Sequence, residues 1–444
     1  MTPTKLTQVA LALAVLGASA CNYDITNPNS PGVIGENPSA AQVGAAVRGI
    51  LIATRQDVAD WALDGGIYGR EALRLDAADP RWLSEMLQGP LDPGSRAFGG
   101  DHWLEPYSAI RSANDLLAVI ASASSLTPEQ QGATSGFAHT LQAYNFMIIL
   151  DSHNQDQIPI DVGRDASAPP APFVTNVAAW DHVIALLDQS VAELQGTAFP
   201  FTLPAGFSGF DTPATFLQFN RALRARVAVY RGDFIGALTY LGQSFLNTAG
   251  PLDVGVYMDF GTGPGDVANP LAIDPQTGEN FGHPLMEAQA QLQTDGVSRD
   301  RRFLTKLVKR TSTTLSGATS DLGWIRYPSP SSPIPLIKNE ELILLRAEAS
   351  IGVSDFVTAV NDINTVRNLS GGLPPYAGVV DQPSLLSELL YNKRYSLMYE
   401  GGHSWIDYRR YSLTSQLTGL DRVGPPPDLI FLTLPIPSAE LQPR

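Results

Sequence analysis

Apolar residues recur at helical spacing along most of this chain, and the helices they define come in pairs joined by short polar turns. From Ala40 to Val58 the stripe is Val43, Val47, Ile50 and Leu51; from Trp103 to Ile120 it is Trp103, Tyr107, Ile110, Leu117 and Ile120. Thr127-Pro128-Glu129-Gln130 opens the next helix, with Thr127 as cap, Pro128 in the first turn and Gln130 completing a capping box. A further pair starts near Asn176, with Trp180, Ile184, Leu187, Val191 and Leu194 on one face, and at Thr212-Pro213. Gly232 and Asp233 end that second helix and cap one carrying Phe234, Leu238 and Leu241. The clearest pair is Glu340–Ser350 and Phe356–Arg367, with Gly352 expected in a left-handed turn and Ser354 or Asp355 as cap. A last helix is expected from Leu385 to Tyr399. Trp103, Tyr107, Tyr144, Trp180 and Tyr230 lie on these stripes and read as core.

The fold class expected is mainly α: a tetratricopeptide-like helical-repeat scaffold, although no clean repeat of about 34 residues is present. Between Gly250 and Ser332, Gly, Pro, Asp and Thr dominate and helical periodicity fades, which predicts a long irregular, loop-rich insertion. Residues 65–100 read as similarly loop-like.

The sole cysteine sits at the end of a leader. Lys5 precedes an apolar run that closes Ala18-Ser19-Ala20-Cys21, the pattern of a lipoprotein signal whose processing leaves Cys21 as the lipid-bearing first residue. An ordinary secretory signal cut after Ala20 is the alternative. The run is too short to span a bilayer as a stable helix. The expected layout is therefore a signal peptide over 1–20, a tether rich in Asn, Pro, Gly and Ser over 21–38, and one domain over 39–444. That domain divides into an N-terminal part to about 250, a loop-rich ligand region to about 332 and a C-terminal part. With one cysteine no intrachain disulfide forms, so stability comes from packing. Lys and Arg number 29 against 44 Asp and Glu, a net charge of −15, which disfavours nucleic acid and gives no basic patch for anionic lipid. Any hold on a membrane is expected through Cys21.

Catalytic signatures are mostly absent. There is no His-Glu-x-x-His, no Gly-x-Ser-x-Gly, and Gly261-Thr262-Gly263-Pro264-Gly265 lacks the lysine of a phosphate loop. The six histidines show no metal-ligand spacing, and no metal site is assigned. Asp151-Ser152-His153-Asn154-Gln155-Asp156 is polar enough to hold calcium but lacks the glycine and distal glutamate of a hand-type loop. Carboxylates abound in both loop regions (Asp76, Asp79 and Glu85; Asp295, Asp300 and Asp321), and none stands out as a general acid. The loop aromatics are more suggestive. Tyr68, Trp82, Tyr257, Phe260, Trp324 and Tyr327 fall in Gly/Pro-rich stretches, where a flat ring suits the apolar face of a sugar and neighbours such as Arg81 suit its hydroxyls. The competing reading is that these rings plug the loops onto the helical body. The candidate ligand-contact set is Trp82, Trp324, Tyr327, Tyr68, Arg81 and Tyr257.

Several stretches, in order along the chain, resemble the SusD/RagB group of outer-membrane nutrient-binding lipoproteins. They are Cys21-Asn22-Tyr23-Asp24 at the mature start, Trp103 with Tyr107, Ile110 and Asn114, and Ala143-Tyr144 through Ile158-Pro159-Ile160. Leu223 to Tyr230 with Gly232-Asp233-Phe234 follows, then Leu345-Arg346-Ala347-Glu348-Ala349. Last come Arg394 with Glu400-Gly401-Gly402-His403, Asp407 and Arg409-Arg410, and the closing Pro435-Ile436-Pro437 with Glu440. Lys393 stands where the group carries glutamate, and Tyr408 where it carries leucine. The resemblance implies a SusD-like helical body and a non-catalytic binding protein; no cofactor is expected, with calcium at 151–156 left open. Such a protein captures oligosaccharides or peptides at the cell surface and passes them to a SusC-like TonB-dependent β-barrel transporter. It also implies that Glu348 and Glu400 pair with arginines to stitch C-terminal helices, and that Asp300 and Arg302 form a local salt bridge near the ligand face. Two other readings stay open: a scaffold that gates the transporter without a ligand of its own, and a secreted carbohydrate-active enzyme.

Overall fold

The computed structural model describes residues 34–163 and 168–441; Cys21, the leader and the tether up to residue 33 lie outside the described residues. The first helix, α1 (Ala40–Tyr68), is closed by a capping box in which Ser39 accepts from Gln42 N and Gln42 Oε1 accepts from Ser39 N. It runs ten residues beyond the expected end because Trp61, Leu63, Ile67 and Tyr68 continue its buried face. Upstream of the cap, Asn37 Oδ1 accepts from Ser124 N and Oγ, both at 2.8 Å, which fastens the entering chain to a later turn.

Helices α2 (Leu104–Ile120), α3 (Pro128–Ser152), α4 (Asn176–Glu193), α5 (Pro213–Tyr230) and α6 (Phe234–Gln243) form where periodicity placed them. The Thr127/Gln130 capping box is present in full, and Asp233 Oδ1 accepts from Gly236 N at 2.9 Å. Helices α7 (Asn339–Gly352), α8 (Phe356–Leu369) and α9 (Gln382–Ser396) follow, then α10 (His403–Arg410). Neighbours in sequence pack together: α3 on α2 and α4, α5 on α6, and α7 on α8 and α9. Two expectations change at the α7–α8 turn. Gly352 is not left-handed but sits in the last turn of α7, where an added Cβ would lie 2.1 Å from the Phe234 ring. The left-handed residue is Ser354, and the cap is Asp355, which accepts from Thr358 N.

The expected irregular insertion is partly a sheet. Strands β1 (Ala72–Arg74), β5 (Asn280–Gly282), β7 (Ala318–Trp324) and β6 (Leu307–Leu315) run antiparallel in the order β1-β5-β7-β6. Thus the two regions read as separate loops meet in one ladder, with Leu73 opposite Phe281. Strand β6 turns into β7 through Ser316-Gly317, both left-handed, the geometry of a two-residue hairpin. Two short pairs complete the strands: β2 (Ile158–Pro159) with β3 (Phe173–Val174), and β4 (Gly255–Met258) with β8 (Ile334–Lys338). The main core is continuous from Val43 on α1 to Leu434 near the end, with a knot of Phe137, Phe199, Phe207, Phe216 and Phe219 inside it. A second cluster, built on Ile343, Ile363, Val366 and Leu389, binds α7, α8 and α9. Among the described residues, no helix is long and apolar enough to cross a membrane.

Candidate functional site

Three of the six candidate contact residues are core. Trp324, at the end of β7, is 3% exposed and stacks on Tyr399 with ring centres 4.1 Å apart and planes within 10°. Tyr327 is equally buried and donates its hydroxyl to Tyr399 O at 2.8 Å. Tyr68 ends α1 against Trp405, 4.8 Å between ring centres. The expectation that these rings face a ligand is therefore corrected: each plugs a turn or strand end onto the helical body, because burying a large ring is worth more than exposing it. Phe260, 8% exposed, belongs with them.

Trp82 and Arg81 keep contact with solvent. They sit on a short helical turn, Arg81–Leu83, directly after the Asp76–Asp79 bend. The Arg74 guanidinium lies 4.6 Å over the half-buried Trp82 ring, and Phe98 meets it edge-on at 4.8 Å. Arg81 is exposed, covers Phe98 at 4.8 Å and pairs with Asp79 at 2.7 Å. This is a pair of rings with a cation against each outer face, on the rim of the sheet.

Tyr257 lines a concave surface. Strand β4 places its half-buried ring in a cleft of about 420 Å³ with Phe210, Ser208, Asp253, Asp259 and Pro333. The Tyr257 hydroxyl donates to Asp253 O. A second cleft of about 370 Å³ lies across the Pro204–Gly206 strip, lined by Leu51, Ile52, Leu203, Met258, Arg48, Arg55 and Asp266. Both volumes fall in the range of small-molecule sites. The strip between them is pinned by Asp259, whose Oδ2 accepts from Gly206 N at 2.6 Å, and Arg55 reaches Asp259 O at 3.4 Å. Gly206 fits there because a Cβ would lie 2.2 Å from Tyr257 O. The two clefts adjoin at Asp259, which lines both, and this paired groove is mostly apolar, with two arginines and several carboxylates at hand. Arg48, Arg55 and residues 202–206 were missed from sequence: they sit on a helix and in a linker that carry no motif.

The remaining motif residues are scaffold. Glu348 accepts from Lys393, Arg410 and Tyr411, each at 2.8 Å. Burial alone would raise its carboxyl, but Lys393 and Arg410 hold it down to about 2. Glu400 meets Lys338 at 2.7 Å, Arg326 at 3.0 Å and Lys306 at 3.2 Å, so lysines join the expected arginine; against the pull of burial they hold it well below the carboxylate range. Asp300 and Arg302 do pair, but deep in the body, where Arg302 also donates to Asn392 and Ser396 of α9. The 151–156 stretch leaves the end of α3, with Asp151 O accepting from Arg409 and His153 Nδ1 set 3.0 Å from Leu434 O. Burial pushes that histidine down to about 4.

No protein-family model matches the sequence, and no curated protein matches it. Solved structures do. A SusD superfamily protein from Bacteroides fragilis is similar at TM-score 0.70 and 16% identity, over 91% of this chain and 97% of its own. A SusD superfamily protein from Bacteroides vulgatus gives TM-score 0.67 at 12% identity, over 92% and 97%. A laminarin-binding SusD-like protein gives 0.66 at 16%, over 92% and 98%. A likeness that spans nearly the whole of both chains at such low identity is one of architecture: this chain has the SusD fold.

Proposed function

We propose that this protein is a non-catalytic, cell-surface carbohydrate-binding lipoprotein that captures oligosaccharides and delivers them to a TonB-dependent barrel transporter. The observation that carries the reading is the groove around Tyr257, an aromatic and apolar floor with polar groups at its edges, on a fold shared with a laminarin-binding protein. Shape and chemistry suit a sugar chain, whose C–H faces pack on rings while hydroxyls meet Arg48, Arg55 and the carboxylates. Trp82 and Arg81 offer a second surface-reachable contact. Attachment through Cys21 and the transporter partnership rest on the leader and on the resemblance in sequence.

Calorimetry against a panel of oligosaccharides and peptides tests the reading. Tyr257→Ala is expected to weaken the positive ligand about tenfold, or about 1.4 kcal/mol, with a single cooperative melting transition retained. Unchanged affinity in both Tyr257→Ala and Trp82→Ala removes the site, and shortening of the bound oligosaccharide on long incubation removes the non-catalytic assignment. A panel with no ligand, alongside co-purification with a barrel protein, favours the gating scaffold instead. Cys21→Ser is expected to release the protein from membranes.

A further inference from the structure

The segment that closes the 89–102 loop carries a buried polar cluster that the groove does not use. His102, fully buried at the entry to α2, points Nδ1 at Asp57 Oδ1, 2.9 Å away, and Nε2 at Asp64 Oδ2, 3.3 Å away. Asp57 and Asp64 lie two turns apart on α1, each 2% exposed. Asp101, half-buried, completes the group, with Oδ1 accepting from His102 N at 2.8 Å. Oxygens of Asp57 and Asp101 and a ring nitrogen of His102 all fall within 4.8 Å of one another.

Charge and hydrogen bonding are both left unbalanced. Among the described residues no lysine or arginine forms an ion pair with Asp57, Asp64 or Asp101, so one imidazole faces three carboxylates. Asp57 Oδ2, Asp64 Oδ1 and His102 Nε2 are buried without a hydrogen-bond partner. Buried carboxylates in native proteins are paired, hydrogen-bonded or bound to metal. A proton on the ring satisfies one side of it and still leaves two carboxylate oxygens bare.

We propose that Asp57, Asp101 and His102 Nδ1 bind one divalent transition cation of the zinc or manganese class, with the Asp64 carboxylate, 3.3 Å from Nε2, as the outer partner whose hydrogen bond to the ring forms when Nδ1 ligates. Two ligands at about 2.1 Å lie about 3.4 Å apart in the tetrahedral geometry of zinc and about 3 Å apart at a right angle, so the 2.9 Å between Nδ1 and Asp57 Oδ1, a hydrogen-bond distance, has to open by about half an ångström for zinc and hardly at all for a six-coordinate ion. A carboxylate on the far nitrogen of a ligating histidine is the usual outer partner, fixing tautomer and ring orientation. The mixed nitrogen and oxygen donors favour zinc or manganese over calcium or magnesium, which take oxygen. Half-buried Asp101 gives the ion a path from solvent. The role is structural: the ion ties α1 to the start of α2 and fixes the loop that carries Phe98 beneath Trp82.

The test uses the full chain, stripped with chelator and titrated with ZnCl₂ or MnCl₂ by calorimetry, with bound metal counted by elemental analysis. One ion per chain and a rise in melting temperature of several degrees are expected. Asp101→Asn is expected to weaken binding at least tenfold, and Asp64→Asn 10–100-fold through the outer partner alone. His102→Asn, which suits the left-handed backbone there (φ 56°), is expected to abolish it. No retained ion in the wild type, or undiminished affinity in Asp101→Asn, overturns the proposal; should His102→Asn fail to fold, Asp101→Asn decides.

Discussion

Lys393 shows how one residue can carry a departure from the family pattern. Its ammonium lies 2.8 Å from Glu348 and 2.7 Å from Asp407, fully buried between α7, α9 and α10. Burial disfavours its charge, but Asp407 and Glu348 raise its pKa. Lys393→Ala takes one partner from each of two buried carboxylates that Arg410 still contacts, and is expected to cost about 1–3 kcal/mol, read as a fall in denaturant midpoint. Glu71 behaves in the opposite sense. Burial pushes its carboxyl up to about 8; only one oxygen is bound, by Tyr399 N at 2.8 Å. The native state keeps this proton while the unfolded chain releases it above the ordinary value of 4.5. Stability contributed by Glu71 is therefore full below about 4.5 and lost as pH rises through 8. Glu71→Gln keeps the acceptor for Tyr399 N and is expected to stabilise the protein at pH 9 relative to pH 5 by about 2–4 kcal/mol. Equal effects of Glu71→Gln at both pH values would contradict this.

At the scale of elements, what is local was readable and what is distant was not. The Thr127 capping box and the Asp233 cap form as expected because both partners lie within three residues. Gly352 was misread because the ring that demands it, Phe234, lies more than a hundred residues away. Gly352→Ala is accordingly expected to cost about 1–3 kcal/mol through overpacking, measured by thermal melting, whereas a left-handed role would predict relief by Asn. The β6–β7 hairpin did carry a sign, Ser-Gly between two threonine-bearing stretches, but strands of that composition look like loop. Helix α10 was overlooked because Gly401 and Gly402 mask its start.

Across the whole molecule, the order of weak motifs made the architecture legible, while the site was not. Tyr257 was singled out, but its groove joins residues near 50, 204 and 259, and no spacing in the sequence announces that meeting. Gly/Pro-rich surroundings were taken as exposure for Tyr68, Trp324 and Tyr327, yet Tyr399 and Trp405 arrive from the far end of the chain to cover them. The same long reach makes the C-terminal segment part of the body. Arg70 donates to Leu429 O, Trp405 Nε1 to Phe431 O, and Leu434 N to Ser152 O. Removing residues 425–444 is expected to cost on the order of 2–4 kcal/mol and to lower the melting temperature of the whole domain by a few degrees, in a single transition. An unchanged midpoint would mean the strap is ornamental.

The clasp between Asn37 and Ser124 has a mechanical consequence. A pull applied upstream of residue 37 would be taken up first at the bend between α2 and α3 and not at the cap of the first helix.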